Sequence, residues 1–263
     1  MPVPDPKAAW QRASQPDATL DDSSAFQLHC FDAGSYMNTW SFVSNPTVSG
    51  GGPHSIYGYS FDHATTPSIY DSNPATDFVL QASVEIPWFA SWPDPEAPPG
   101  IVPIGQVNIF AYLRDRLSGK TFALLLAIFD NRFASNPTSG AFAAHDGATP
   151  FVSAPISANG RYGTLSPGSS MFTGTAWTGL RFFRVHVTQE NFRQILADIN
   201  AYCREHAAQR FCANQSPTAT PYSTSVTDYE LTDFGVIHEL ARNPTDNLSM
   251  GVRIFDLGAW NFR

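Results

Sequence analysis

Apolar residues recur at every second position through most of the chain. From Phe78 to Trp88 the even positions Phe78, Leu80, Ala82, Val84, Ile86 and Trp88 are apolar, while Gln81, Ser83 and Glu85 lie between them. That is the pattern of a strand with one buried and one polar face. Ile104 to Arg114 repeats it, with Val107, Ile109, Ala111 and Leu113 set against Gln106, Asn108, Tyr112 and Arg114. Asp115 to Lys120, which holds Ser118-Gly119, predicts a hairpin turn into a strand over Thr121 to Asp130. Further strands are predicted over Phe26 to Phe31, Tyr36 to Val43, Ser55 to Phe61, Leu180 to Thr188, Tyr229 to Leu240 and Leu248 to Phe255. Pro, Gly, Ser and Asn concentrate in Asn45 to Pro53, Pro93 to Pro103, Ser135 to Pro150, Asn159 to Gly174 and Ala213 to Ser225, which read as loops.

One segment has a different period. Phe192, Ile195, Leu196, Ile199, Tyr202, Cys203 and His206 recur at helical spacing, Thr188 is placed to cap them, and Glu190 falls in the first turn. A single amphipathic helix is predicted within Gln189 to Ala208, packed against a sheet or over one end of the fold. Many strands, turn-rich loops and one helix predict an all-β fold, a two-sheet antiparallel β-sandwich. In architecture this resembles jelly-roll and concanavalin-like sandwiches. No internal repeat or linker divides the chain, so residues 1–263 are expected to form one domain, with 1–20 irregular.

Composition narrows the class. Of 263 residues only 14% are charged and 13% are aromatic, a globular balance. The formal net charge is -8 and Lys7 and Lys120 are the only lysines, so no basic stripe exists to neutralise phosphates and no nucleic-acid partner is expected. The longest apolar run, Phe122 to Phe129, is strand-length, far short of the roughly 20 residues of a membrane span. Met1 to Trp10 contains three prolines and no apolar core of a signal peptide. The abundance of Ser, Thr, Asn, Gly and Pro in the loops points to action outside the cytoplasm, secreted or periplasmic, with the signal peptide absent from this chain.

Cys30, Cys203 and Cys212 permit one disulfide at most. Cys203 and Cys212 flank the predicted helix end and can close a short loop, as suits an oxidising compartment; the alternative is a pair of buried thiols. If they are bonded, Cys30 is expected to be a buried thiol. No C-x-x-C pair occurs and no metal or cofactor site is expected. Asp71-Ser72-Asn73 followed by Asp77 has some of the spacing of a calcium loop, but Pro74 and the missing Gly and distal Glu leave a structural calcium at most.

The chemistry is sought on the polar faces of the strands. If these share one concave sheet, Gln81, Glu85, Gln106, Asn108, Tyr112 and Arg114 form a grid, joined by Arg184, His186 and Glu239 from later strands. Leu180 and Phe182 alternate with them. Apolar contact beside hydrogen-bonding groups suits a sugar ring, so the expected partner is a polysaccharide or oligosaccharide. Trp92 and Trp177, outside the predicted strands, are candidate stacking platforms. Glu85 and Glu239 are the candidate carboxylate pair of a glycoside hydrolase, the alternative being structural ion pairs with Arg184 or Arg253. Arg184 and His186, two apart on one strand face, supply with Tyr112 the parts of a polysaccharide lyase: a cation for the uronate carboxylate and a base for the adjacent proton. A lectin-like or adhesion module without catalysis is the third possibility. The sequence contains no nucleophile elbow G-x-S-x-G, no H-E-x-x-H and no E-x-D-x-x-E strand motif of laminarinase type; the nearest stretch to the last, Asp228 to Asp233, reads DYELTD.

Overall fold

The structure, a computed structural model, describes residues 25–30, 37–43, 54–60, 68–92, 104–133, 140–146, 149–157, 160–206, 221–241 and 247–262. The period-2 segments become strands: β1 (Ala25–Cys30), β2 (Met37–Val43), β3 (His54–Ser60), β4 (Asp77–Trp92), β5 (Ile104–Asp115), β6 (Thr121–Asp130), β10 (Trp177–Val187), β11 (Tyr229–Ala241) and β12 (Asn247–Phe262). Three more, β7 (Phe142–Asp146), β8 (Thr149–Pro155) and β9 (Thr164–Leu165), lie wholly or partly in stretches whose composition reads as loop. They are short, and in β8 the buried alternate positions include Pro150 and Ala154, so no apolar periodicity marks them.

Two six-stranded sheets result, ordered β1-β2-β12-β4-β10-β9 and β3-β11-β5-β6-β8-β7. All neighbouring strands are antiparallel except β6 and β8, which run parallel because β8 returns to β6 only after β7 has filled the sheet edge. Among the described residues the fold is the expected sandwich with one α-helix. Leu80 and Val84 of β4, Phe183 and Val185 of β10 and Ile254 of β12 join Ile109 of β5, Leu124 of β6 and Val236 of β11 in one buried apolar core. The parity of those residues fixes which side chains of each strand point out.

Helix α1 (Gln189–Glu205) packs against β7, β8 and β10, so it spans from one sheet to the other. Its apolar stripe, Phe192, Ile195, Leu196 and Ile199, joins the core, with Phe192 against Tyr70, Phe122 and Tyr229. The predicted cap forms: Thr188 Oγ1 accepts from the Asn191 backbone N–H at 3.1 Å, and Asn191 Oδ1 accepts from the Thr188 N–H at 3.2 Å. No helix among the described residues is long and apolar enough to cross a membrane.

Two irregularities shift the alternation on the first sheet. Between Glu85 and Trp88 strand β4 carries one more residue than the facing stretch of β12, so Trp88 comes out on the outer face and Phe89 turns in against Phe129. The sequence pattern puts Trp88 in phase with Ile86; the bulge changes that phase. Gly251 makes room for the result, since a Cβ there would stand 2.6 Å from Trp88 ring carbons. Further along, β12 carries the extra residue between Phe255 and Gly258, and Asp256 takes a left-handed backbone with φ of 49°.

Candidate functional site

The sandwich has two outer faces, and the sequence-derived grid is divided between them. Glu85, Gln81, Arg184 and His186 stand on the outer face of the first sheet, on β4 and β10. Glu239, Gln106, Asn108, Tyr112 and Arg114 stand on the outer face of the second, on β11 and β5. Glu85 and Glu239 therefore leave opposite sides of the molecule and are not brought together as a carboxylate pair. For the same reason Tyr112 does not join Arg184 and His186. Period 2 tells which residues share a face of one strand, but not which strands share a sheet.

On the first sheet the outer face of β12, β4 and β10 is continuous. Glu85 sits at one end, its Oε1 accepting from the Gly179 N–H at 2.8 Å and its Oε2 from Arg253 Nη1 at 2.9 Å. This is the structural ion pair weighed as the alternative. Two residues along, Ser83 Oγ donates to Asp256 Oδ2 at 3.1 Å. Next, Gln81 spans three strands: its Nε2 donates to the Asp256 carbonyl at 3.2 Å, and its Oε1 accepts from Arg184 Nε and Nη2 at 2.9 and 2.7 Å. The Arg184 guanidinium lies over the Phe182 and Trp260 rings, 5.0 and 5.4 Å from their centroids. At the far end His186 Nδ1 is 3.0 Å from Asp77 Oδ2. Half-exposed aromatics thus alternate with oriented polar groups along one surface.

The second sheet presents a different face. In its middle Asn108 and Phe110 are buried, 4% and 2% exposed, as Val79 and Ser83 are on the first sheet. Polar groups gather at its ends instead. At one, Arg114 bonds Glu230; at the other, Gln106 Nε2 donates to Glu239 Oε2 at 2.9 Å, and Arg132 grips Asp130 with Nε and Nη2.

Trp177 is a correction: it is 5% exposed, its Nε1 donates to the Val84 carbonyl at 3.1 Å, and its ring packs on Phe129 and Phe183. Strand β10 begins at Trp177, earlier than the pattern from Leu180 indicates, which draws the indole into the core. The side chain of Trp92 lies outside the described residues, as do Cys212 and the side chain of Cys30. Cys203 is disulfide-bonded. Asp71 Oδ1 accepts from Asn73 N and Thr76 Oγ1 at 2.9 and 2.6 Å, while Asp77 holds His186, so the two aspartates of the calcium-like spacing serve separate partners.

Three residues of this face, Trp88, Asp256 and Trp260, were not placed on it from the sequence, and Asp77 was read only within the calcium-like spacing. Trp88 and Asp256 owe their positions to the two bulges. A pairing mismatch between β4 and β12 is a long-range property with no local signal. At Gly258-x-Trp260 a Cβ on the glycine would meet the Trp260 ring at 3.0 Å, so the glycine leaves the indole space to lie along the strand.

No family model matches the chain, and no curated protein matches it. Solved structures similar to it include the xyloglucanase domain of NopAA, a type three effector from Sinorhizobium fredii, in complex with cellobiose. That match has 10% identity, covers 96% of this chain and 93% of the other, and has a TM-score of 0.34. The family 11 xylanase from Neocallimastix patriciarum matches at 9% identity over 90% of this chain and 95% of the other, with a TM-score of 0.28. Superpositions this loose assign neither an activity nor site residues to this chain.

Proposed function

We propose that the chain binds a polysaccharide along the outer face of β12, β4 and β10. The observation that carries this is the row in which Gln81 fixes Arg184 between the Phe182 and Trp260 rings, with Ser83–Asp256 and His186–Asp77 on either side. A sugar ring needs an apolar platform for its C–H face and oriented donors and acceptors for its hydroxyls, and this surface supplies both. The Cys203 disulfide suits an oxidising compartment, in keeping with a secreted or periplasmic site of action. Affinity electrophoresis and calorimetry against a panel of neutral and uronic polysaccharides test the proposal. At least one polymer should bind, and Trp260→Ala should weaken it by about tenfold or more, the usual scale for losing a stacking ring. A panel without a binder, or full binding by folded Trp260→Ala, would overturn it.

A second reading, glycoside hydrolysis, is favoured by one observation. Asp256 is the only non-glycine described residue with positive φ, and strain of this kind collects where a side chain must be aimed. Its carboxylate accepts from Ser83, two residues from Glu85 on the same strand face, so two carboxylates belong to one surface, and glycoside hydrolysis calls for such a pair. Asp256 would protonate the leaving oxygen, and Glu85, charge-paired with Arg253, would act as nucleophile or base. Release of reducing ends that falls at least about a hundredfold in Asp256→Asn would establish this reading.

A further inference from the structure

Arg114, Arg132, Arg161 and Arg253 each meet a carboxylate: Glu230, Asp130, Asp198 and Glu85. Arg184 is half-buried and has no carboxylate partner among the described residues. Its side chain is nevertheless fixed. Nε and Nη2 both donate to the neutral Gln81 Oε1, and the plane rests against two rings. A guanidinium has five N–H donors, so three remain, and the edge formed by its two terminal nitrogens is the fork that receives a carboxylate through two parallel hydrogen bonds. Holding a half-desolvated cation without a counter-ion costs stability, and in a chain of net charge -8 acidic partners are plentiful.

We infer that Arg184 makes the saccharide face selective for a sugar that bears a carboxylate, a uronate-type residue, with Gln81 as the positioning residue that aims the fork. This rests on the carbohydrate reading of the face and specifies its ligand. The neighbours define the ligand further. Asp256, on Ser83, and Asp77, on His186, flank Arg184 along the strands in both directions. They repel a continuous run of charge, so the fitting polymer is a neutral backbone carrying isolated uronates rather than a polyuronate.

The test compares polysaccharides sparsely substituted with uronate, each paired with its own carboxyl-reduced form, for binding to the full chain by calorimetry at low ionic strength. The uronate member should bind about tenfold tighter than its reduced partner, as expected for a bidentate charge-assisted contact. That ratio should fall to near one in Arg184→Gln and to an intermediate value in Arg184→Lys, which keeps the charge without the fork. Arg184→Lys carries the test if Arg184→Gln does not fold. Equal binding of both members by the parent protein, or an undiminished ratio in the folded variants, overturns the inference while leaving carbohydrate binding intact. Tighter binding of a sulfate-ester form overturns the carboxylate assignment, and tighter binding of a polyuronate overturns the isolated-charge assignment. Failure of every pair to bind removes the carbohydrate reading itself.

Discussion

Glu85 has both carboxylate oxygens occupied before any ligand arrives, one by the Gly179 N–H and one by Arg253. Its side chain is 11% exposed and that of Arg253 47%, so the glutamate depends on the contact more than the arginine does. Glu85→Gln is expected to lower stability by about 1.5–3 kcal/mol, the scale of hydrogen bonds to a charged group, measured by denaturant unfolding. A loss of turnover with unchanged stability would instead favour the hydrolytic reading. Asp256 gives the opposite expectation. Relieving its left-handed backbone gains, and losing the Ser83 hydrogen bond costs, each about 1 kcal/mol, so Asp256→Gly should stay within about 1 kcal/mol of the parent. Asp256→Ala keeps the strain and loses the bond, and should melt below both. The order of the three melting temperatures checks this. The charge on Glu85 and its arginine alternative were legible in the sequence, because a carboxylate between Val84 and Ile86 needs a partner wherever the strand lies. The backbone sign at Asp256 was not, because nothing in Phe255-Asp256-Leu257 announces the mismatch with β4.

At the level of elements, the period of α1, its Thr188 cap and the buried stripe from Phe192 to Ile199 follow from the order of residues, whereas Tyr202 and Cys203, read into the same stripe, are half-exposed and Gln189 and Asn200 are buried instead. What the period leaves open is how the helix is tied laterally. Asp198 on its outer side accepts from Arg161 Nε and Nη2 and from Tyr162 Oη, all at 2.7 Å. Burial pushes the Asp198 carboxyl up, but the hydrogen bonds from Arg161 and Tyr162 outweigh burial and hold it below its usual value. Because the folded carboxyl is the more acidic, its stabilisation is complete above the ordinary aspartate pKa of about 4 and is lost as pH falls through the lower folded value. Asp198→Asn should therefore destabilise the protein at pH 7 and show a shallower acid limb than the parent below about pH 4. Urea unfolding at a series of pH values reads both, and parallel limbs for the two proteins would refute the tie. Strands β7, β8 and β9 were missed for a related reason: they are held by neighbours in the sheet, β7 and β9 with five and two residues carry too little pattern to show it, and in the seven residues of β8 the buried positions are Pro150, Val152 and Ala154.

The whole molecule decides what alternation could not. The polar positions named on β4, β5 and β10 and Glu239 on β11 lie on the outer sides of their strands as read, with Trp88 alone moved across by the β4 bulge, yet assigning those sides to one surface required knowing that β4 and β10 belong to one sheet and β5 and β11 to the other. Sheet membership follows from pairings between residues far apart in the chain, such as Gln81 with Arg184 and Gly258, and single-strand periodicity contains no term for it. The consequence is that the two outer faces are independent. They are separated by the full thickness of two packed sheets, roughly 10 Å between sheet planes before side chains are added. One carries a row of half-exposed aromatic and polar groups beside the buried Val79 and Ser83 of β4; on the other, Asn108 and Phe110 are buried in the middle and the polar pairs lie at the ends. Substitutions on the two faces should then separate cleanly. Phe182→Ala and Trp260→Ala should each weaken saccharide binding by about tenfold or more. Gln106→Ala and Tyr112→Phe, on the second sheet, should leave the dissociation constant within about twofold, as additivity holds for distant sites without shared partners. Calorimetric titration of the four variants against one bound polymer makes the comparison. Weakening by the second-sheet pair alone would move the binding surface to the Gln106–Glu239 end of β5 and β11, whereas weakening by both pairs would require a ligand that wraps around the edge of the sandwich.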